Sequence, residues 1–134
     1  MNQELLLITM KEEVKRWWIF AKDDLRKAHD NFNIGNYDLS SFLCQQAVEK
    51  ALKAVLIKKT NEYPKIHDLV MLGNLADLDK NLLKYCEKLT FVYTETRYPD
   101  ASYRKYSKEE SETDITIAEE ILTWIEKWIE KKLL

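Results

Sequence analysis

The sequence predicts an all-α fold: an antiparallel up-and-down bundle of four long helices plus a short helix. Three observations carry this. Apolar residues recur at helical spacing over long segments, the connections between segments are short, and only two Gly and two Pro interrupt 134 residues. So few turn formers argue against a sandwich, a barrel or a glycine-rich phosphate loop. The length suits one domain, read here as residues 1–134, and 46% apolar against 33% charged residues fits a buried core under a charged exterior. Lys and Arg number 21 against 23 Asp and Glu, a net charge of −2, so general attraction to nucleic acid is not expected and any such contact must be local.

In chain order, Thr9-Met10-Lys11-Glu12 has the form of a capping box and opens a helix running to about Phe32. Val14, Trp17, Trp18, Ala21, Leu25, Ala28 and Phe32 share one seam of it, while Ile19 and Phe20 fall off the seam and hint at a second buried surface. Asn33-Ile34-Gly35-Asn36 turns the chain. A second helix spans about Asp38 to Lys59 and is apolar around most of its circumference, as the centre of a bundle requires. Its polar residues form one stripe: Gln45, Gln46, Glu49, Lys50 and Lys53. Asp68 is placed to cap a short helix, and Asp79 another that carries Leu82, Leu83, Cys86, Leu89 and Tyr93. A loop follows from Arg97 to Tyr106, and Ser107-Lys108-Glu109-Glu110 is a second capping box. The last helix is cleanly divided, with Ile115, Ala118, Ile121, Leu122, Trp124, Ile125, Trp128 and Ile129 on one half.

Two features carry candidate chemistry. On the second helix Gln46, Glu49, Lys50 and Lys53 share a face, offering amide, carboxylate and ammonium to a phosphate or a base edge. Periodicity alone equally fits a solvated stripe of Glu–Lys pairs. The loop interleaves Arg97, Arg104 and Lys105 with Tyr98, Tyr103 and Tyr106, a composition that suits phosphate contact and base stacking, or that pins the loop onto the bundle end. No His-x-x-His or Cys-x-x-Cys spacing occurs, so neither a metal nor another cofactor is expected. Ser40 and Ser41 lack an elbow motif, and Cys44 and Cys86 lack an evident base. The cysteines read as reduced, buried thiols of a cytoplasmic protein, and Leu5-Leu6-Leu7-Ile8 is too short for a signal segment. No membrane association is expected. Four tryptophans exceed what so small a core hides, which favours a homodimer or a helical partner.

The run Gln45-Gln46-Ala47-Val48-Glu49-Lys50-Ala51-Leu52-Lys53-Ala54, preceded by Tyr37 and Phe42, resembles the second-helix signature of the prokaryotic HEPN domain. The Trp17…Asp24-Leu25…Ala28 spacing agrees, as do His67-Asp68-Leu69…Leu72, Arg97-Tyr98-Pro99-Asp100 and Ala118 through Trp124. The resemblance implies a dimeric bundle of four to five helices with a groove for nucleotide or RNA. It also implies a partner: small stand-alone members are commonly encoded beside a minimal nucleotidyltransferase, as toxin and antitoxin. Members that cut RNA carry an Arg followed four to six residues later by His. Here Arg97 matches, but Ala101, Ser102, Tyr103 and Arg104 follow, and no histidine occurs after His67. The imidazole that would move the proton of the ribose 2′-hydroxyl is absent from its usual place.

The leading expectation is therefore a homodimeric nucleotide-binding protein, or the companion, toxin-type subunit of a nucleotidyltransferase, that does not cut RNA. Lys50, Lys53 and Arg97 would meet phosphate while Gln46, Glu49 and Tyr98 shape the groove. The alternatives are a divergent metal-independent ribonuclease using Arg97 with His67 or Tyr103, and a purely structural interaction module.

Overall fold

The structure, a computed structural model, describes residues 1–99 and 105–133. Among these the chain is helical with no strand: α1 (Gln3–Thr9), α2 (Glu12–Asn33), α3 (Tyr37–Thr60), α4 (Leu69–Leu75), α5 (Lys80–Thr90), α6 (Val92–Arg97) and α7 (Lys108–Leu133). The long rods are α2, α3 and α7. The fourth position of the up-and-down bundle is filled by the shorter α5, with α4 and α6 flanking it. The greasy α3 lies at the centre and meets α2, α4, α5, α6 and α7, so its apolar circumference is used on nearly every side.

Local signals explain most boundaries. Asp68 Oδ1 accepts from the amides of Val70 and Met71, and Asp79 Oδ1 from that of Asn81. Ser107 Oγ accepts from the Glu110 amide at 3.1 Å, as its capping box requires. Gly35, at φ +84°, supplies the left-handed turn between α2 and α3. Gly73 lets α4 approach α5: a Cβ there would sit 2.7 Å from Leu83 Cδ1.

Two boundaries depart from the sequence expectation. Thr9 does not cap α2, because its hydroxyl donates to the carbonyls of Leu5 and Leu6 and so finishes α1. Lys11 stands at the start of α2 with no side-chain cap. The apolar start is thus a helix of its own, capped by Asn2 and buried through Leu6. Likewise Tyr93 does not ride on α5. The chain breaks at Phe91, and α6 carries Tyr93 through Arg97 on a separate turn against α3.

The core runs through Val14, Trp18, Ala21, Leu25 and Ala28 of α2, most of α3, and Ile115, Ala118, Ile121, Leu122, Ile125 and Ile129 of α7. Trp18 is fully buried, whereas Trp17, Trp124 and Trp128 are half-buried at its margin. Ile19 and Phe20 stay exposed.

A polar cluster ties the rod ends together. The Ser41 and Ser111 hydroxyls lie 2.9 Å apart, Ser111 donates to the Tyr37 carbonyl, and Lys88 Nζ lies 3.2 Å from the buried Asp114 carboxylate. Burial raises the Asp114 pKa above the ordinary carboxylate value, against the lowering effect of Ser41 and Lys88. The folded state therefore holds this proton to higher pH than the unfolded chain does. Stability relative to an Asp114→Asn variant is expected to fall as pH rises from the ordinary Asp range through the raised folded value, then to level off. Urea titrations of both proteins from pH 3 to 8 check this; a pH-independent difference refutes it.

Candidate functional site

The polar stripe of α3 is not a wet ribbon. Gln45, Glu49 and Lys53 are buried, Glu49 at 5% and Lys53 at 4% exposure, so the solvated-stripe reading does not describe them. Their mutual spacing of four residues puts all three on one face of the helix, and Trp17 of α2 with Tyr63 and His67 of the α3–α4 connection lie against that face. Glu49 Oε2 accepts from Lys53 Nζ at 3.0 Å, and Oε1 accepts from Gln45 Nε2 at 3.2 Å and from His67 Nδ1 at 3.0 Å. Gln46 Nε2 donates to Gln45 Oε1 at 2.7 Å. The Lys53 ammonium also lies 5.8 Å from the Trp17 ring centre and 5.5 Å from that of Tyr63, favourable quadrupole contacts in a desolvated setting.

Lys50 leans the other way. Its ammonium pairs with Asp24 of α2 and lies 5.9 Å from the exposed Phe20 ring. Arg16, Trp17, Phe20 and Lys50 line a groove of about 410 Å³ there.

Arg97 closes α6. It is exposed, and its guanidinium carbon stands 4.9 Å from the Tyr93 ring centre, 5.7 Å from that of Phe42 and 5.8 Å from that of Tyr98. Arg97 Nη1 donates to the Tyr93 hydroxyl at 2.8 Å. Among the described residues no carboxylate pairs with it. A groove of about 490 Å³ lies beside it, lined by Asp38, Leu39, Phe42, Thr96 and Arg97. The His67 ring stacks on Tyr93 with centroids 4.3 Å apart and planes 14° from parallel. Stripe and loop, separate in the sequence, thus join: Lys53, Glu49, His67, Tyr93 and Arg97 touch in succession.

Of the sequence-named residues, Gln46, Glu49, Lys53, His67 and Arg97 belong to this one constellation. Lys50 stands apart on the α2 side, and Tyr98, 49% exposed, flanks Arg97. Tyr103 and Arg104 lie outside the described residues. Tyr106 is buried, and its hydroxyl donates to Glu95 at 2.8 Å, which pins the far end of the loop. Sequence reasoning missed Tyr93, Phe42 and Gln45 as site members and Asp24 as the partner of Lys50. For Asp24 a signal existed: an acid on an apolar seam needs a buried cation.

Neither cysteine is poised as a nucleophile. Both are buried free thiols, and burial pushes the pKa of Cys44 up strongly and that of Cys86 to about 12. Among the described residues no group of three His, Cys, Asp or Glu side chains is placed to hold a metal, and no helix is long and apolar enough to cross a membrane.

The family model for the HEPN domain matches residues 14–128, which takes in every site residue from Trp17 to Tyr98. The chain belongs to the HEPN family. Two solved structures are similar to this HEPN chain. TT1696 from Thermus thermophilus is 29% identical at a TM-score of 0.79, with 87% of this chain and 98% of that one covered. ST0689, described as an archaeal HEPN homologue, is 30% identical at a TM-score of 0.75, with 90% and 99% covered. No curated protein matches by sequence. The α1 helix precedes the matched region.

Proposed function

We propose that this HEPN protein binds a phosphate-bearing ligand, a nucleotide or RNA, at Arg97, and serves as a homodimer and as the companion, toxin-type subunit of a minimal nucleotidyltransferase. The observation that carries the binding reading is the setting of Arg97. An exposed guanidinium held by the Tyr93 hydroxyl and resting among three aromatic rings is a prepared anion site with stacking faces beside it. Gln46, half-exposed along α3 one turn beyond Phe42, flanks it, while the buried Glu49 and Lys53 support it from behind; Lys50, paired with Asp24, lies outside it. Exposed Ile19 and Phe20 beside half-buried Trp17 support the dimer reading. The companion role rests on the family resemblance.

A specific observation favours a second reading, a metal-independent ribonuclease. The imidazole missing after Arg97 has a counterpart in His67, whose Nδ1 is held by a buried carboxylate and whose side chain is 52% exposed. Its Nε2 would accept the 2′-hydroxyl proton as O2′ attacks the phosphate held by Arg97, and the P–O5′ bond would break with water supplying a proton to the departing 5′-oxygen. One experiment addresses both readings. Calorimetry with ATP and with a short oligouridylate at low salt is expected to give binding that Arg97→Ala weakens at least tenfold. The same oligouridylate, end-labelled, is expected to stay intact under the first reading. Under the second it yields a 2′,3′-cyclic phosphate with the wild type but not with His67→Asn. No heat from either ligand at millimolar concentration refutes the Arg97 binding site.

A further inference from the structure

We infer that Glu49 is a positioning residue for Arg97, acting through His67 and Tyr93 and touching no ligand itself; this rests on Arg97 being the cation that meets phosphate. Both carboxylate oxygens of Glu49 are taken by protein donors, and the side chain is 6% exposed, so it presents nothing to a groove. What it does is hold the one ring on which the next depends. His67 sits in the α3–α4 connection with half its side chain in water, where an unsupported imidazole would sample several rotamers. The Nδ1–H donated to Glu49 fixes both its plane and its tautomer.

With its plane fixed, the imidazole forms a platform against Tyr93 at 4.3 Å, nearly parallel. Tyr93 in turn has its hydroxyl on Arg97 at 2.8 Å and its ring under the guanidinium. Glu49 is itself fixed from the other side, because Lys53 is wedged against Trp17 and Tyr63. The buried ion pair is thus the anchored end of the row, and Arg97 its exposed end.

Charge and positioning predict opposite signs, which makes the inference decidable. By Coulomb's law alone, Glu49→Gln removes a negative charge near the site and leaves Lys53 uncompensated, so an anion should bind more tightly. If Glu49 positions Arg97, the same change loosens His67 and Tyr93, and an anion binds more weakly. The expected result is ATP affinity at least fivefold weaker in Glu49→Gln and in His67→Ala. Adding His67→Phe to Glu49→Gln is expected to restore affinity to within about twofold, since a phenyl ring stacks without a carboxylate behind it.

Nitrogen-15 relaxation of the Arg97 Nε–H provides a readout that needs no ligand. The side chain should be ordered in the wild type, averaged in Glu49→Gln and His67→Ala, and ordered again in the rescued double variant. The surface change His67→Ala keeps the test available should Glu49→Gln fold poorly. Unchanged Arg97 dynamics in both single variants, or tighter ATP binding by Glu49→Gln, overturns the inference. Failure of the wild type to bind ATP removes the Arg97 binding reading, while the relaxation data still decide the positioning role. Loss of binding in Arg97→Ala alone, with the other variants unaffected, spares the first and removes the second.

Discussion

Lys53→Ala is expected to cost about 3–5 kcal/mol of folding stability and to lower Tm by roughly 10–20 °C. Lys53 is 4% exposed and its partner Glu49 5%, so truncating the lysine strands a buried anion on Gln45 and His67. The lost aliphatic stem also leaves a gap between Trp17 and Tyr63. The pair as a whole contributes far less than that figure, because both charges lose hydration on burial and most of their attraction goes to offsetting it. Combining Lys53→Met with Glu49→Leu is therefore expected to recover most of the stability that Lys53→Ala loses. It should not restore the order of Arg97, since His67 no longer has a carboxylate behind it. Urea unfolding of the single and double variants gives both numbers. A loss below about 1 kcal/mol for Lys53→Ala would mean the pair reaches water and counts as an ordinary surface bridge.

That separation of stability from placement also explains what is legible in the sequence. The rods are, because a helix with one apolar half, such as α7, has a single way to lie on a core. So are the caps at Asp68, Asp79 and Ser107, whose effect lies within three residues of the capping side chain. Where two short-range signals compete, the reading fails. Thr9 fits a capping box for α2, yet its hydroxyl serves the last turn of α1, and nothing local to Thr9 distinguishes the two. The break at Phe91 carries neither Gly nor Pro, so α6 hides as an extension of α5.

The candidate site is half legible for a related reason. Residues spaced along α3 group correctly, since one helix face is a local property. Whether that face is wet depends on what other elements bring to it. His67 comes from 18 residues beyond Glu49, and Tyr93 and Arg97 arrive on a helix whose boundary the sequence conceals. The same glutamate can read as a solvated Glu–Lys pair or as a buried anchor, and only tertiary contact chooses between them.

The tryptophans show the same dependence in the core, and here the expected effect is as large. Trp18→Ala should destabilise the protein by about 3–5 kcal/mol, since the indole is 1% exposed and no neighbouring rod can collapse fully into its place. Trp17, its half-buried neighbour, already has one side open to a groove, so Trp17→Ala should cost distinctly less. Trp18→Phe separates the two components of the Trp18 loss. Among the described residues no acceptor reaches the buried Trp18 Nε1–H, and an unmet donor costs about 1–3 kcal/mol. Phenylalanine removes that penalty while keeping most of the ring volume, so Trp18→Phe should cost well under half of Trp18→Ala. Denaturant midpoints for the three variants test this, and a Trp18→Phe loss matching that of alanine would mean the indole N–H is hydrogen-bonded after all. An adjacent Trp-Trp pair then divides its labour by one helical step of about 100°: Trp18 holds α2 on the core, and Trp17 turns toward Lys53 and the open groove.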